Sequence, residues 1–140
     1  MKKAAIIYQS KTGITRKFGE EISRYLSAKG IETQTFSVPD YKKGIIEQSD
    51  YVLLGCWTAG FMLLFQHPDK IWKRFAQDIP GLGGKKVALF TTYKIATGSM
   101  FKCMRKYLAD KGTDLSTEMK SKKGDLSIEN KAILDKFLAT

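Results

Sequence analysis

One short polar loop near the start of the chain has the residue types of an anion site. Residues 10–15, Ser-Lys-Thr-Gly-Ile-Thr, follow an apolar run and precede a helical pattern. Such a loop offers hydroxyl groups and unpaired backbone N–H groups at a helix N-terminus, where the helix dipole also attracts negative charge. Gly13 lets the backbone turn closely around an anion. These residues favour a phosphate site; the alternative is an ordinary strand-to-helix loop with Thr15 as its N-cap.

Residues for other kinds of chemistry are few. The loop matches neither the GxxxxGK[ST] nor the GxGxxG phosphate motif. The single histidine, His67, argues against a zinc site, and the two cysteines, Cys56 and Cys103, are too few for a disulfide framework. We therefore assign no general base, nucleophile or metal ligand.

The elements that position the loop alternate between strand and helix signals. Apolar or alternating runs predict strands at Ala4–Tyr8, Ile31–Val38, Tyr51–Cys56, Val87–Thr91 and, weakly, Leu115–Met119. Helices are predicted after the polar loop up to Gly30, over Tyr41–Gln48, from His67-Pro68 onward, after an N-cap at Ser99 and after an N-cap at Ser127. The pattern predicts one α/β domain over residues 1–140, a three-layer αβα sandwich around a five-stranded parallel sheet.

Ligands of such sheets bind beyond the carboxyl ends of the strands, at a topological switch point. Three loops meet this condition, and they follow the first, third and fourth predicted strands: residues 10–15, 57–61 and 91–98. We expect the functional site where these loops meet.

Composition narrows the class of protein but not its partner. The chain has 140 residues with 43% hydrophobic and 27% charged, which is typical of a globular domain. Its basic and apolar start is too short for a signal peptide and no apolar run could cross a bilayer, so a cytoplasmic location is expected. The net charge of +10 would attract anions of several kinds. With no recognisable nucleic-acid motif, no nucleic acid is expected as a partner.

The polar loop, placed after the strand Ala4–Tyr8, resembles the [ST]-x-T-G-x-T phosphate loop of the flavodoxin family. Residues 50–56 resemble the third strand of that family, and residues 87–90 with the loop that contains Gly98 resemble the fourth strand and its loop. The order and spacing of elements match over nearly all of the chain. The resemblance implies a 2-1-3-4-5 sheet, non-covalent FMN and one-electron transfer through the exposed edge of the flavin ring.

The resemblance also implies which residues hold the cofactor. The phosphate would be bound by Ser10, Lys11, Thr12, Gly13, Ile14 and Thr15. The ring would be bordered by two further loops, consisting of Cys56, Trp57, Thr58, Ala59 and Gly60 and of Thr92, Tyr93 and Lys94. Gly60 is placed to offer a backbone group to the ring.

Three features depart from the family pattern. Ala59 stands where relatives commonly have a stacking aromatic, so either Trp57 or Tyr93 is the stacking candidate. Lys94 stands in a loop where relatives usually carry acidic residues. The apolar run 61–65 predicts a short buried helical turn; the alternative is an exposed patch beside the flavin for a partner or an apolar substrate.

The sequence thus predicts an FMN-binding electron carrier in preference to an enzyme with its own substrate. Alternatives are a flavin enzyme on the same fold, such as a quinone reductase or a protoporphyrinogen oxidase, and a binding module that has lost its flavin. Typical flavodoxins are acidic, whereas this chain is basic, so we expect a redox partner with an acidic docking face. The absence of long insertions favours a monomer.

Overall fold

The apolar runs predicted as strands pair in a single parallel sheet. The computed structural model describes residues 1–61 and 64–139. Its strands are β1 (Lys3–Gln9), β2 (Glu32–Ser37), β3 (Tyr51–Trp57), β4 (Ala59–Phe61), β5 (Leu64–His67), β6 (Lys86–Thr92) and β7 (Thr117–Ser121). Its helices are α1 (Ile14–Ala28), α2 (Lys70–Asp78), α3 (Met100–Tyr107) and α4 (Ile128–Ala139). None of the described helices is both long enough and apolar enough to cross a membrane.

The main sheet has the strand order β2-β1-β3-β6-β7, and every neighbouring pair is parallel. If only the five strands of this sheet are numbered in chain order, β6 and β7 become the fourth and fifth strands, and the order is the predicted 2-1-3-4-5. The strands β4 and β5 form a separate antiparallel hairpin between β3 and α2. From β1 the chain moves to β2 on one side, and from β3 it moves to β6 on the other side. The loops that follow β1 and β3 therefore separate and leave a crevice between them, which is where α/β folds bind ligands.

Alternating side chains of the strands point to two separate cores. Ile7 and Leu54 face one side of the sheet, where they meet Trp72 of α2 and Met104 of α3. Ile6 and Leu53 face the other side, with Phe18 of α1 and Leu134 of α4. Because both faces are covered by helices, the central strands are apolar throughout and have no exposed face.

Two helix predictions were wrong, one in the existence of the helix and one in its first residue. Residues 41–48 contain no regular helix, because Gly44 adopts a left-handed φ of +96° and the chain forms turns there instead. The helix expected to open at His67-Pro68 begins at Lys70. Its N-cap is Asp69, whose side chain accepts a hydrogen bond from the backbone N–H of Trp72, and Pro68 lies before the helix.

The predicted buried helical turn over residues 61–65 was also wrong. Phe61 ends β4 and residues 64–67 form β5, while residues 62 and 63 lie outside the described residues. The side chain of Phe65 is 79% exposed. At this residue the alternative expectation of exposed apolar surface is closer to the structure.

The caps of the other helices were predicted with mixed success. Gly30 ends α1 with a φ of +85°, and the N–H of Ile31 donates to the carbonyl of Leu26 as in a Schellman motif. Ser127 caps α4, since its Oγ accepts from the N–H of Asn130 at 3.0 Å. Ser99 precedes α3 but its Oγ donates to the carbonyl of Gln66 at 2.7 Å, so it ties the helix to the hairpin instead.

Candidate functional site

The three predicted loops meet in one cavity at the carboxyl end of the sheet. The cavity has a volume of about 290 Å³. Most of the predicted site residues line it: Lys11, Thr12, Ile14, Trp57, Thr58, Ala59, Gly60, Thr92, Tyr93 and Lys94. Gln66, Ile95, Ala96 and Lys122 also line it; Ile95 and Ala96 belong to the predicted loop 91–98, whereas Gln66 and Lys122 were not predicted. Ser10 and Gly13 instead line a neighbouring cavity across the loop.

The polar loop, called the cradle below, lies at the N-terminal end of α1. Gly13 is the N-cap, with a left-handed φ of +92°, so Thr15 is not the N-cap. The Oγ of Ser10 accepts from the N–H groups of Gly13 at 3.0 Å and Arg16 at 3.3 Å, which closes the loop. The N–H groups of Ile14 and Thr15 belong to the first turn of the helix and have no intrahelical acceptor. The loop is therefore preorganised for an anion before one arrives.

Threonine hydroxyls tie the cradle to the other two loops. The Oγ1 atoms of Thr15 and Thr92 share a buried hydrogen bond of 2.6 Å. Thr91 Oγ1 donates to the carbonyl of Cys56 at 2.6 Å and lies 2.7 Å from the Oγ1 of Thr58. These bonds fix the spacing of the three loops, and only a three-dimensional structure could show them because the partners are far apart in sequence.

The indole of Trp57 is held at the cavity wall by a carboxylate. Its Nε1–H donates to Asp69 Oδ2 at 2.8 Å, while Asp69 Oδ1 accepts the N–H of Trp72 at 2.9 Å. Lys11 Nζ lies 4.7 Å from the centroid of the Trp57 ring, a cation–π distance. Asp69 was not predicted as a site residue, although an aspartate directly before a helical pattern is a typical N-cap signal.

Tyr93 borders the cavity from the third loop. Its ring is half-buried, and Lys120 and Lys122 place their Nζ atoms 5.9 and 5.8 Å from its centroid. Its backbone N–H donates to the carbonyl of Ser121 at 3.2 Å, which anchors the third loop to the end of β7. Both aromatic candidates are thus present at the cavity, each with lysine beside it.

Gly60 occupies a position that only glycine fits. Its φ is +129°, and a Cβ atom there would lie 2.8 Å from the carbonyl oxygen of Phe65 and 2.9 Å from the Cα of Gln66. Backbone atoms cannot move aside as a flexible side chain can. The close approach of the facing hairpin strand therefore requires glycine here, and Gly60 itself is exposed and lines the cavity.

Cys56 is placed differently from the other predicted site residues. Its side chain is 0% exposed, belongs to the core and does not line the cavity. Burial raises the pKa of its thiol well above the ordinary range. Its backbone carbonyl accepts a hydrogen bond from the hydroxyl of Thr91 and thereby helps to organise the loop.

The cavity rim is basic and its lysines are not paired. Lys11, Lys94 and Lys122 line the cavity, and none of the three lies within 4.0 Å of a carboxylate in residues 1–61 and 64–139. Lys17 is paired with Asp125 at 2.6 Å, which holds the pKa of that carboxyl below its usual value. The described residues contain no cluster of His, Cys, Asp and Glu that could hold a metal ion.

The geometry fits a planar ring that carries a phosphate. The cradle at residues 10–15 supplies N–H groups for an anion, and the adjoining cavity has aromatic side chains on two of its loops. Gly60 is exposed at the cavity wall, where its backbone groups can bond to polar ring atoms. This combination of a few fixed polar groups within a mainly apolar cleft is typical of cofactor sites.

Comparison with known proteins identifies the family. The Flavodoxin family model matches residues 6–137, which is nearly the whole chain. The chain belongs to the flavodoxin family. It is therefore an FMN-binding electron-transfer protein, and the alternative of a quinone reductase or protoporphyrinogen oxidase is not favoured.

Individual relatives agree with this membership. The flavodoxin of Megasphaera elsdenii is 31% identical over 108 residues, which cover 76% of this chain and 77% of that protein. The solution structure of the same organism's two-electron reduced flavodoxin aligns with a TM-score of 0.80 at 24% identity, covering 98% and 99% of the two chains. A Fusobacterium nucleatum flavodoxin variant bound to flavin mononucleotide aligns with a TM-score of 0.67 at 18% identity, covering 99% and 94%.

Proposed function

We propose that the FMN of this flavodoxin lies with its phosphate on residues 10–15 and its ring between residues 57–60 and 92–94. The observation that carries the proposal is the meeting of all three loops in one cavity beside a helix N-terminus. The Fusobacterium nucleatum structure, which shares this fold, is bound to flavin mononucleotide. When bound, FMN supplies the one-electron chemistry, and the chain binds and orients it.

Different parts of the cradle have different tasks in this proposal. The phosphate would accept hydrogen bonds from the N–H groups of Ile14 and Thr15 and from the hydroxyl of Thr12. An anion at a helix N-terminus gains charge-assisted hydrogen bonds of this kind. Thr12 is exposed, whereas the hydroxyl of Thr15 is already shared with Thr92. Ser10 keeps the loop closed through its two accepted hydrogen bonds and retains its own O–H for the phosphate.

The ring site depends on the rigid backbone at Gly60 and on the flanking Trp57 and Tyr93. A substitution at Gly60 tests this directly, because an alanine there would force the backbone of residues 65 and 66 away. Gly60→Ala should weaken FMN binding at least about tenfold, a loss on the scale of one or two hydrogen bonds. Gly30→Ala is the matched control, since Gly30 also has a left-handed φ, of +85°, but a Cβ there meets nothing within 4 Å.

In absorption titrations of the apoprotein, Gly30→Ala should bind FMN as the wild type does despite its strained backbone. Equal FMN affinity of Gly60→Ala and wild type would contradict the assignment of the ring site. Equal losses in both variants would mean that backbone strain, and not the position of residue 60, sets the affinity.

We propose further that the protein exchanges electrons with a partner that presents an acidic face, and that it works as a cytoplasmic monomer. The net charge of +10 and the unpaired lysines on the cavity rim support the first point. Both cysteines are free, which suits a reducing compartment. Rim charges act mainly on the association rate.

The acidic partner is tested by the salt dependence of electron transfer. Rubredoxin, a small acidic iron–sulfur protein, serves as the electron acceptor in stopped-flow experiments with the reduced holoprotein. Its second-order rate constant should fall as salt rises, because the Debye length shrinks to about 8 Å at physiological ionic strength. A basic acceptor, cytochrome c, should show the opposite dependence. Rates with rubredoxin that do not change with ionic strength would contradict the proposal.

A further inference from the structure

Phe65 combines two features that a folded protein usually avoids. Its side chain is 79% exposed, and its φ of +59° makes it the one non-glycine residue with a left-handed backbone in residues 1–61 and 64–139. A bulky residue in this region of φ is a genuine outlier that costs free energy. An exposed aromatic ring recovers none of that cost by burial within the chain.

The exposure of Phe65 is not explained by the flavin site. Two other exposed apolar residues, Ile14 at 37% and Ile95 at 56%, line the cavity, so a bound ring would cover part of them. Phe65 does not line the cavity, although the neighbouring Gln66 does. Its ring therefore lies beside the flavin site and outside it.

The hairpin that carries Phe65 is held against the start of α3, the helix that follows the third loop. The carbonyl of Gln66 accepts from Ser99 Oγ at 2.7 Å and from Cys103 Sγ at 3.8 Å. The carbonyl of Phe65 is packed against Gly60, where no side chain fits. The backbone that follows the ring is thus fixed, and Phe65 is exposed to solvent beside Gln66, which lines the cavity together with Lys94 and Ile95.

We infer that Phe65 is the apolar anchor of a docking surface for a redox partner whose face has an apolar centre and an acidic rim. This inference rests on the proposed function, because it assumes that electrons leave at the flavin cavity. The unpaired Lys11, Lys94 and Lys122 around the cavity supply the complementary charges. Interfaces have this anatomy, with a few aromatic anchors surrounded by a polar rim.

A second copy of the chain is a poor occupant of the same surface. Each copy carries a net charge of +10, and a symmetric contact at this face would bring the cavity lysines of the two copies together. Like charges that face each other across an interface oppose association. An acidic protein gains attraction from the same lysines.

The test measures electron transfer from the reduced, FMN-loaded protein to rubredoxin. Phe65→Ala should lower the second-order rate constant at least about fivefold, the effect expected for removal of an interface anchor. Phe65→Leu, which keeps apolar bulk, should stay within about twofold of the wild type. Ile71→Ala is the matched control, because Ile71 is 51% exposed on α2 and lines a different cavity. It should leave the rate unchanged.

Two further measurements separate docking from other roles. The reaction with 1,4-benzoquinone, a small neutral oxidant, and the FMN affinity should be the same in Phe65→Ala and wild type. Phe65→Gly should unfold at the same or a higher denaturant concentration, because glycine tolerates a φ of +59° without strain. A lower midpoint would show that the ring packs on its own fold and would overturn the inference.

Other outcomes overturn it in distinct ways. If the rate constant with rubredoxin is unchanged in Phe65→Ala, Phe65 does not anchor the partner. If the FMN affinity falls together with that rate constant, Phe65 contacts the flavin instead. A wild-type dimer that dissociates in Phe65→Ala would assign the surface to a second copy. Failure of the proposal of an acidic partner would give a different result, because the rate constant of the wild type with rubredoxin would then not depend on ionic strength.

Discussion

Trp57 and Asp69 form the contact that joins the loop after β3 to helix α2. Asp69 accepts the indole N–H of Trp57 at 2.8 Å with one carboxylate oxygen and the N–H of Trp72 at 2.9 Å with the other. One side chain therefore caps α2 and sets the orientation of a ring at the cavity wall. Stability of the helix and geometry of the site are coupled through this carboxylate.

Removal of the carboxylate should affect both functions at once. Asp69→Ala should lower the free energy of unfolding by about 1–3 kcal/mol, because it removes an N-cap and leaves the Trp57 N–H without its acceptor. Asp69→Asn, which can still cap the helix, should lose less. Asp78→Ala, an exposed aspartate at the other end of the same helix, is the control and should cost little.

Chemical denaturation followed by tryptophan fluorescence provides the measurement. The emission of native Asp69→Ala should also change, since the hydrogen bond to Trp57 is lost. Equal stabilities of Asp69→Ala and Asp78→Ala would show that the contact contributes nothing.

The two cysteines should differ sharply in reactivity. Cys56 is 0% exposed and burial raises the pKa of its thiol, whereas Cys103 is partly exposed. A disulfide reagent such as DTNB should modify one thiol in the native protein at pH 7–9 and two in denaturant. Cys103→Ser should show no fast native reaction.

The same pKa shift gives a pH dependence of stability. Because the folded pKa of Cys56 is raised, its contribution is fully present below the unfolded value of about 8.5 and is lost as the pH rises above it. The free energy of unfolding should therefore decline from about pH 8.5 upward, and Cys56→Ala should reduce this decline. Rapid native modification of two thiols would contradict the burial of Cys56.

Much of this organisation could be predicted from the sequence. The strands and their order follow from apolar runs and from the family resemblance, and the loop at residues 10–15 was found because its chemistry is local. The helix predicted over residues 41–48 does not form, because Gly44 takes a left-handed φ that interrupts a helix. The apolar pattern of the segment had favoured a helix in spite of this glycine. The β4–β5 hairpin was not predicted, because a short apolar run has no periodicity that distinguishes a strand from a helical turn.

Contacts between distant residues could not be predicted. The hydroxyl pair of Thr15 and Thr92 joins positions 77 residues apart, and no local pattern marks it. Ser99 has the residue type of an N-cap, yet its hydroxyl bonds to Gln66 because tertiary structure places that carbonyl within reach. Exposure of Phe65 likewise depends on the backbone of the hairpin and not on its residue type.

Lys94 should tune the potential of the bound cofactor. It is exposed and lines the cavity, so its positive charge favours electron uptake by the ring. Lys94→Glu should lower the more negative of the two one-electron potentials by roughly 20–60 mV, a Coulomb effect reduced by solvent screening. Lys2→Glu makes the same charge change just before β1, at the opposite end of the sheet from the cavity, and should shift the potential much less.

Potentiometric titration of the three proteins decides the matter. An unchanged or raised potential in Lys94→Glu would mean that the side chain points away from the flavin. Equal shifts in the two variants would assign the effect to net charge and not to the position of Lys94.

The phosphate cradle at residues 10–15 is the centre of this account, and calorimetric titration of the apoprotein with FMN and with riboflavin tests it most directly. FMN should bind at least about a hundredfold more tightly, because charge-assisted hydrogen bonds to a phosphate at a helix N-terminus are worth roughly 1.5–3 kcal/mol each. Thr12→Ala should weaken FMN by about 1–3 kcal/mol and leave riboflavin unchanged, whereas Thr117→Ala on β7 should alter neither. Equal affinities of the wild type for FMN and riboflavin would contradict the assignment of the cradle.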